Sequence, residues 1–291
     1  MSNHVEIFEV GPRDGLQNEA RQIPLAEKIG LVDCLSGGGF KRIEVASFVS
    51  PKWVPQMAQS SDVLAGIQRA AGVSYAALTP NLRGFKDALG AKADEVAIFT
   101  SASERFSQAN VNTSIGNSLN RASDVAQAAQ TAGLPVRGYI SCVTECPYDG
   151  VVDPQQVRGV AAKLLDMGCY EISLGDTIGR ATPSQIEALL SCLCGDIGAA
   201  RLAGHYHDTG GQAWANVQVS LAHGLRVFDA AVGGLGGCPY APGAAGNIAT
   251  ETLHRNLTDL GYDTGLVTRQ IDRAAAMARA MRGDEINVRN P

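Results

Sequence analysis

Residues 202–209 read Leu-Ala-Gly-His-Tyr-His-Asp-Thr, a short apolar run that ends in two histidines. Alternate side chains of an extended strand point to the same face, so His205 and His207 are expected to aim their imidazole rings at one place. Imidazole is the commonest metal ligand among side chains, and the motif therefore favours a metal site at the end of this strand. An ordinary strand end that happens to carry two histidines is the alternative for the motif taken alone.

This run is one of eight short apolar segments rich in strand-forming residues. They are residues 5–10, 42–47, 74–79, 95–100, 136–142, 171–175, 202–207 and 227–232. Apolar residues recur with helical spacing between the runs, as at 24–36, 119–132, 154–167 and 183–194. Eight strand–helix repeats predict an α/β fold, a closed (β/α)8 TIM barrel, more readily than an open doubly wound sheet, which a repeat of this length would also suit.

The last part of the chain is rich in Ala, Met and Arg, and no strand follows it. Residues 266–282 are therefore expected to form one extra helix that packs on the barrel or on a second subunit. No linker, low-complexity stretch or shift in composition divides the chain. We accordingly predict a single catalytic domain over residues 1–291, with the helical extension starting at about residue 264.

The charge distribution limits the classes of partner. The net charge is −5, and the lysines and arginines are scattered without a basic block. This argues against nucleic acid or an anionic membrane as a partner. No apolar run is long enough to cross a bilayer. A strand-like segment begins at residue 5 and leaves no room for a signal or transit peptide, so a cytoplasmic protein is expected.

The seven cysteines show no paired spacing of the zinc-binding type, and their odd number does not suggest a disulfide framework. Six of them are expected to be small buried apolar residues in a reducing compartment. Cys238 differs, because glycines and prolines surround it and indicate a loop in which a thiol can be reached. The six others are Cys34, Cys142, Cys146, Cys169, Cys192 and Cys194.

Polar residues recur where the predicted strands end, which is where barrel enzymes carry their active sites. Arg13 and Asp14 follow the first run, Glu44 and Ser47 lie on the second, Asp176 follows the sixth, and Cys238 follows the eighth.

Asp14, His205, His207 and Asn247 would together offer nitrogen and oxygen ligands, a set that suits Mg²⁺, Mn²⁺ or another divalent cation. The alternatives are a turn residue before a glycine for Asp14 and a helix N-cap for Asn247.

Longer motifs resemble those of the 3-hydroxy-3-methylglutaryl-CoA lyases, a branch of the metal-dependent lyases and synthases with a TIM barrel. Two of them are specific: His-Tyr-His-Asp-Thr at 205–209 and Gly-Gly-Leu-Gly-Gly-Cys-Pro-Tyr-Ala-Pro-Gly at 233–243. The Arg-Asp and His-x-His elements mark the broad family, whereas the cysteine loop is similar to the lyase branch. The other matching motifs lie at 9–19, 47–57, 79–82 and 173–179, so the resemblance covers almost the whole chain.

The resemblance implies retro-Claisen cleavage of 3-hydroxy-3-methylglutaryl-CoA to acetyl-CoA and acetoacetate, in leucine degradation or a related acyl-CoA route. It implies Mg²⁺ or Mn²⁺ on Asp14, His205, His207 and Asn247, with Asp14 or His205 relaying the hydroxyl proton. Arg13 would stabilise the enolate oxygen, and Cys238, on a glycine loop able to close, would protonate the acetyl-CoA carbanion.

The resemblance also implies supporting roles at some residues, which an ordinary salt bridge or cap would equally explain: Glu44, Asp176 and Glu251. Lys52 and Arg83 are offered as contacts of the CoA moiety. A homo-oligomer, a dimer in particular, is expected.

One departure concerns Gly210, where relatives often carry a larger side chain. It leaves open a lyase for a longer 3-hydroxy-3-alkylglutaryl-CoA. A condensing synthase that joins acetyl-CoA to a 2-oxo acid is less favoured, because its members extend well beyond the barrel. A barrel without activity that serves as a scaffold is also less favoured, because every metal and acid residue is present.

Overall fold

The computed structural model describes residues 3–236 and 246–283, so that Cys238 lies outside the described residues. Eight parallel strands close into a barrel in chain order, and the last pairs with the first through Val227 opposite Glu6. This confirms the predicted TIM barrel. The strands are β1 (Glu6–Glu9), β2 (Arg42–Ser47), β3 (Ser74–Leu78), β4 (Glu95–Ser101), β5 (Val136–Ser141), β6 (Glu171–Asp176), β7 (Leu202–Tyr206) and β8 (Val227–Ala230).

Helices connect the strands around the outside of the barrel. The predicted helix at 119–132 begins earlier, at Ile115, because the Ser114 hydroxyl accepts a hydrogen bond from the Asn117 amide and caps it. The helices are α1 (Leu25–Ser36), α2 (Ser60–Gly66), α3 (Leu82–Gly90), α4 (Glu104–Val111), α5 (Ile115–Thr131), α6 (Pro154–Asp166), α7 (Pro183–Ile197), α8 (Ala213–Ala222), α9 (Thr250–Asp259) and α10 (Thr268–Arg282). A small antiparallel hairpin after β5, Glu145–Cys146 with Gly150–Val151, was not anticipated.

The position of a cysteine relative to the buried face of its helix determines how far it is buried. On α7 the buried residues are Ile186, Leu189, Leu190 and Leu193. Cys192 and Cys194 fall beside that stripe and are half-buried, as is Cys34 on α1. The expectation of six buried cysteines is therefore wrong for these three and correct for Cys142, Cys146 and Cys169, and all six are free thiols.

The C-terminal helix α10 begins at Thr268, two residues later than expected, and packs on the barrel. Arg282 donates a hydrogen bond to the Gly233 carbonyl at 2.6 Å, and Arg279 donates to Glu251 at 2.9 Å. These contacts fasten α10 to the turn that follows β8 and to α9. Among the described helices, none is long and apolar enough to cross a membrane.

Charged side chains fill much of the barrel interior. Arg137 on β5 contacts Asp229 on β8, and Arg42 on β2 contacts Glu171 on β6. Neither pair of strands is adjacent in the sheet, so both contacts cross the interior. Arg137 is completely buried, and its guanidinium lies over the Phe8 ring at 4.4 Å from the ring centroid. A polar column therefore leads from the amino ends of the strands to the carboxyl ends.

Candidate active site

Arg13 and Asp14 lie on a short π-helical turn, Gly11–Gly15, directly after β1. A Cβ atom at Gly15 would stand 2.6 Å from the Leu235 side chain. Only glycine therefore lets this turn approach the chain that leaves β8. The close approach brings Asp14 to the carboxyl end of the barrel, as the sequence predicted.

The two histidines arrive from β7. His205 is the penultimate residue of that strand, whereas His207 lies one residue beyond it and forms an isolated antiparallel bridge with Asn247. Both side chains are nevertheless directed to one point, because their Nε2 atoms are 3.3 Å apart. The bridge places Asn247 beside the pair.

Asp14, His205 and His207 form a cluster that could hold a metal ion. Asp14 Oδ2 lies 3.8 Å from His205 Nε2 and 3.9 Å from His207 Nε2. Two ligand atoms that are each about 2.1 Å from one ion lie roughly 3 Å apart at a right angle and farther apart at wider angles. The three atoms thus have a spacing that one divalent ion can span.

Asn247 completes the cluster. Its Nδ2 donates a hydrogen bond to Asp14 Oδ2 at 2.8 Å, while its buried Oδ1 has no partner within residues 3–236 and 246–283. Buried amide oxygens are normally paired, and amide oxygen is an accepted ligand of hard cations. The orphaned oxygen and the clustered nitrogen and carboxylate atoms fit a divalent cation.

The electrostatics of the cluster favour deprotonated Asp14 and His207. The pKa of His205 is raised instead, because burial, which would lower it, is outweighed by the hydrogen bond to Asp229 and by the Asp14 carboxylate. Burial would raise the pKa of Asp14, but the guanidinium of Arg13 and the two histidines hold it well below its usual value. Burial and the neighbouring His205 lower the pKa of His207 to about 4. At neutral pH the site therefore offers an ionised carboxylate and a neutral imidazole.

Arg13 connects the cluster to a second carboxylate. Its Nη1 donates to Asp14 Oδ1 at 2.6 Å, and its Nε and Nη2 lie 2.6 and 2.5 Å from Glu44 Oε2. Tyr139 also donates to that oxygen, at 3.2 Å. Glu44 Oε1 is buried and has no hydrogen-bond partner among the residues described.

Asp176 and Glu251 lie close to the site but make local contacts. Asp176 ends β6, and its carboxylate accepts hydrogen bonds from the Arg180 and Ala181 amides at 3.3 and 3.0 Å. Burial raises the pKa of Asp176 to about 6. Glu251 Oε2 accepts from the Gly233 amide at 3.0 Å, and its Oε1 pairs with Arg279. Within the described residues, Asp176 therefore caps backbone amides, and Glu251 caps an amide and forms a salt bridge. These are the ordinary structural contacts that were the alternative to a catalytic role.

The remaining predicted residues are not part of the cluster. Lys52 and Arg83 are exposed and follow the carboxyl ends of β2 and β3. Ser47, at the end of β2, has a buried hydroxyl without a partner in the described part of the chain.

Sequence reasoning missed three buried ionisable residues that support the site: Arg137, Asp229 and Glu9. Arg137 stands within the apolar run 136–140 and Asp229 within 227–231. A charge in the middle of an apolar strand indicates a buried and paired group, so this signal could have been used.

Glu9 connects the two segments that carry Asp14 and Asn247. Its Oε1 accepts hydrogen bonds from the Gly11 and Val232 amides at 2.8 and 3.1 Å, and its Oε2 accepts from the Thr250 hydroxyl at 2.7 Å. The side chain is completely buried. Burial raises the pKa of Glu9 from 4.5 to about 7, although the three hydrogen bonds oppose this shift.

We expect Glu9→Gln to flatten the pH dependence of stability. Between about pH 4.5 and 7 the folded wild type holds a proton that the unfolded chain has lost. Its free energy of unfolding should therefore fall as pH rises through this window, by up to about 1.4 kcal/mol per pH unit. Glutamine fits the same space and cannot titrate. Urea denaturation at several pH values gives the slope of the free energy of unfolding against pH for each protein. Exposed Asp87→Asn is the control. Equal slopes for wild type and Glu9→Gln would refute the raised pKa of Glu9.

Comparison with known proteins gives close matches over nearly the whole chain. The profile of the HMGL-like family matches residues 4–278. A Pseudomonas aeruginosa protein named 3-hydroxy-3-isohexenylglutaryl-CoA/hydroxy-methylglutaryl-CoA lyase is 56% identical over 262 residues, 90% of this chain and 87% of that protein. Rat mitochondrial hydroxymethylglutaryl-CoA lyase is 55% identical over 266 residues, 91% of this chain and 82% of that protein.

A solved structure agrees with these matches. The crystal structure of HMG-CoA lyase from Brucella melitensis superposes with a TM-score of 0.95 at 55% identity, covering 97% of this chain and 99% of that one. Because relatives include bacterial proteins and a mitochondrial one, the cytoplasmic location stays a prediction.

Proposed function

The chain belongs to the HMGL-like family, and from this premise we propose that it cleaves 3-hydroxy-3-methylglutaryl-CoA into acetyl-CoA and acetoacetate. The observation that carries the proposal is the convergence of Asp14, His205 and His207 at the carboxyl end of the barrel, beside the buried cation of Arg13. This arrangement suits a reaction in which negative charge develops first on an alkoxide and then on an enolate.

Four residues would hold the cation: Asp14 through Oδ2, His205 and His207 through Nε2, and Asn247 through Oδ1. When bound, the cation supplies Lewis-acid stabilisation of the negative charge that develops at the substrate hydroxyl. Imidazole, carboxylate and amide ligands without a thiolate suit Mg²⁺ or Mn²⁺, and we propose one of these as the native ion.

The substrate hydroxyl must lose its proton while the neighbouring carbon–carbon bond breaks. Asp14 is the first candidate proton acceptor, because its carboxylate lies between the two histidines, where the substrate hydroxyl would meet the cation. His205 is the other acceptor that the sequence offered, but the proposed cation would take its Nε2 and Asp229 pairs with its Nδ1, so Asp14 is the preferred acceptor. The electrons of the broken bond move to the thioester carbonyl and give the enolate of acetyl-CoA, and the other fragment leaves as acetoacetate.

Arg13 is the cation that would stabilise the enolate oxygen. A guanidinium has five N–H groups, and the contacts with Glu44 and Asp14 use three of them. Two remain for an oxyanion. The two carboxylates hold the guanidinium plane in place, so little reorganisation is needed when negative charge arrives.

Cys238 is proposed as the acid that protonates the carbanion of acetyl-CoA. It follows Gly236, the last described residue before 237–245, and the described chain resumes at Gly246, next to Asn247. The two described residues that flank it, Gly236 and Gly246, both lie beside Asn247. An unperturbed thiol has a pKa of about 8.5 and is protonated at neutral pH, as this role requires.

We place the CoA moiety over the carboxyl ends of β2 and β3, where Lys52 and Arg83 are exposed and can meet its phosphates. A homodimer remains a prediction. Asp176 and Glu251 are proposed to act indirectly, by fixing the turns that follow β6 and β8.

A substrate panel tests the function. The protein with Mg²⁺ should convert 3-hydroxy-3-methylglutaryl-CoA to equal amounts of acetyl-CoA and acetoacetate, and a longer 3-hydroxy-3-alkylglutaryl-CoA at a lower rate. Acetyl-CoA with a 2-oxo acid should give no condensation product. Condensation without cleavage would indicate a synthase, and no conversion of any compound would indicate a protein without this activity.

A further inference from the structure

Asp229 lies beside His205, as its register partner on the adjacent strand β8, and is 1% exposed. Its Oδ2 is 3.0 Å from His205 Nδ1 and accepts hydrogen bonds from the Ser173 hydroxyl at 2.7 Å and from Arg137 Nη1 at 3.1 Å. Its Oδ1 accepts from Arg137 Nη2 at 2.7 Å. Two parallel bonds from one guanidinium and a third from a hydroxyl fix the carboxylate rigidly.

These contacts determine which nitrogen of His205 carries a proton. Asp229 accepts hydrogen bonds from Arg137 at both of its oxygens and a third from the Ser173 hydroxyl, the pattern of a carboxylate that only accepts hydrogen bonds. His205 Nδ1 must therefore be the donor. In neutral imidazole the proton is then on Nδ1, and Nε2 presents its lone pair toward Asp14 and His207.

We propose that Asp229, held by Arg137 and Ser173, is a positioning residue that fixes the tautomer and ring orientation of His205 for metal binding. The inference rests on the metal centre of the proposed function. Carboxylates behind metal-binding histidines act in this way in other proteins, and their loss weakens metal affinity by about 10- to 100-fold.

The same network reaches the carboxylate ligand from the other side. Arg137 donates to the Tyr139 hydroxyl at 2.9 Å, Tyr139 donates to Glu44, and Glu44 accepts from Arg13, which holds Asp14. Asp14 Oδ1 accepts from Arg13, and Oδ2 accepts from Asn247 Nδ2 and keeps a second lone pair for the cation. Arg137 thus supports two proposed ligands, Asp14 after β1 and His205 on β7.

Glu171 provides a matched control for a merely structural role. It is buried and accepts from Arg137 Nε at 2.7 Å, but the described contacts of Glu171 do not include His205. Removing either carboxylate leaves Arg137 short of one buried charge partner, and both losses are expected to destabilise the fold. Only the loss of Asp229 should alter the metal site.

Mn²⁺ binding measured by electron paramagnetic resonance separates the two roles. We expect Asp229→Asn to bind Mn²⁺ about 10- to 100-fold more weakly than wild type, and Glu171→Gln to bind within a few-fold of wild type. Equal affinities in wild type and Asp229→Asn, or equal losses in both variants, would overturn the proposal. If wild type binds no Mn²⁺, the metal centre and the positioning role are both wrong.

A second measurement needs no folded variant of Asp229. In metal-free wild type with ¹⁵N-labelled histidine, NMR above the imidazole titration should find His205 protonated on Nδ1, with the signal assigned by its loss in His205→Gln. A proton on Nε2 instead would overturn the proposal. Both readouts are independent of the acyl-CoA that is cleaved, so a different substrate in the panel would leave them intact.

Discussion

Replacing Arg13 by lysine is expected to lower the turnover number by roughly 100- to 1,000-fold, the usual loss when one donor to an oxyanion is removed. Lysine keeps the positive charge but offers a single ammonium group. It cannot span Glu44 and Asp14 and still direct a planar pair of N–H groups at the enolate. The Michaelis constant should change much less, because the loss arises in the transition state.

Arg42→Lys is the matched control, since Arg42 is also largely buried between carboxylates but stands at the amino end of the barrel. Its turnover should stay near the wild-type value. Steady-state kinetics with saturating Mg²⁺ compares the three proteins. A normal turnover number in Arg13→Lys would remove Arg13 from the chemical step.

Cys238→Ser is expected to reduce turnover by roughly 100- to 10,000-fold, the range for a lost general acid. A serine hydroxyl has nearly the size of the thiol but is a far weaker acid, so protonation of the carbanion would be slow. Metal affinity should not change, because a hydroxyl replaces a group that is not among the proposed ligands. Alkylation of the thiol should inactivate the wild type, and substrate should protect it.

Cys192→Ser controls for the loss of an unrelated half-buried thiol, and its turnover should be unaffected. Mn²⁺ affinity and turnover are measured on the same preparation of each variant. A normal rate in Cys238→Ser would assign the residue to loop packing. A lost metal would show that the segment shapes the metal centre instead.

The barrel could be predicted from the sequence because strand and helix periodicities alternate clearly. Apolar runs of about six residues recur between segments with helical spacing, and each run became a strand within a residue or two of its expected ends. The hairpin at Glu145–Cys146 and Gly150–Val151 was missed, because strands of two residues leave no periodic pattern.

The convergence of Asp14, His205 and His207 could also be predicted, since these residues follow the carboxyl ends of strands, where a barrel brings them together. The contact between Arg137 and Asp229, which supports this cluster, could not be predicted. Arg137 and Asp229 are 92 positions apart, and their contact depends on which strands face each other across the closed barrel. Strand register, which the sequence does not reveal, sets that pairing.

The hydrogen bonds around the proposed ligands could not be predicted from the sequence either. The sequence placed Asn247 at the site but not its bridge to His207 or its bond to Asp14. Glu44 was expected to support catalysis, whereas its contact with Arg13 became visible only in the folded protein.

The most direct test of the account is the turnover of 3-hydroxy-3-methylglutaryl-CoA by metal-free protein as a divalent cation is restored. Protein stripped with EDTA should release no acetoacetate, and Mg²⁺ or Mn²⁺ should restore release in step with occupancy of one site per chain. His207→Ala should need a far higher cation concentration to recover, because it lacks one of four proposed protein ligands. Full turnover in excess EDTA would contradict the account.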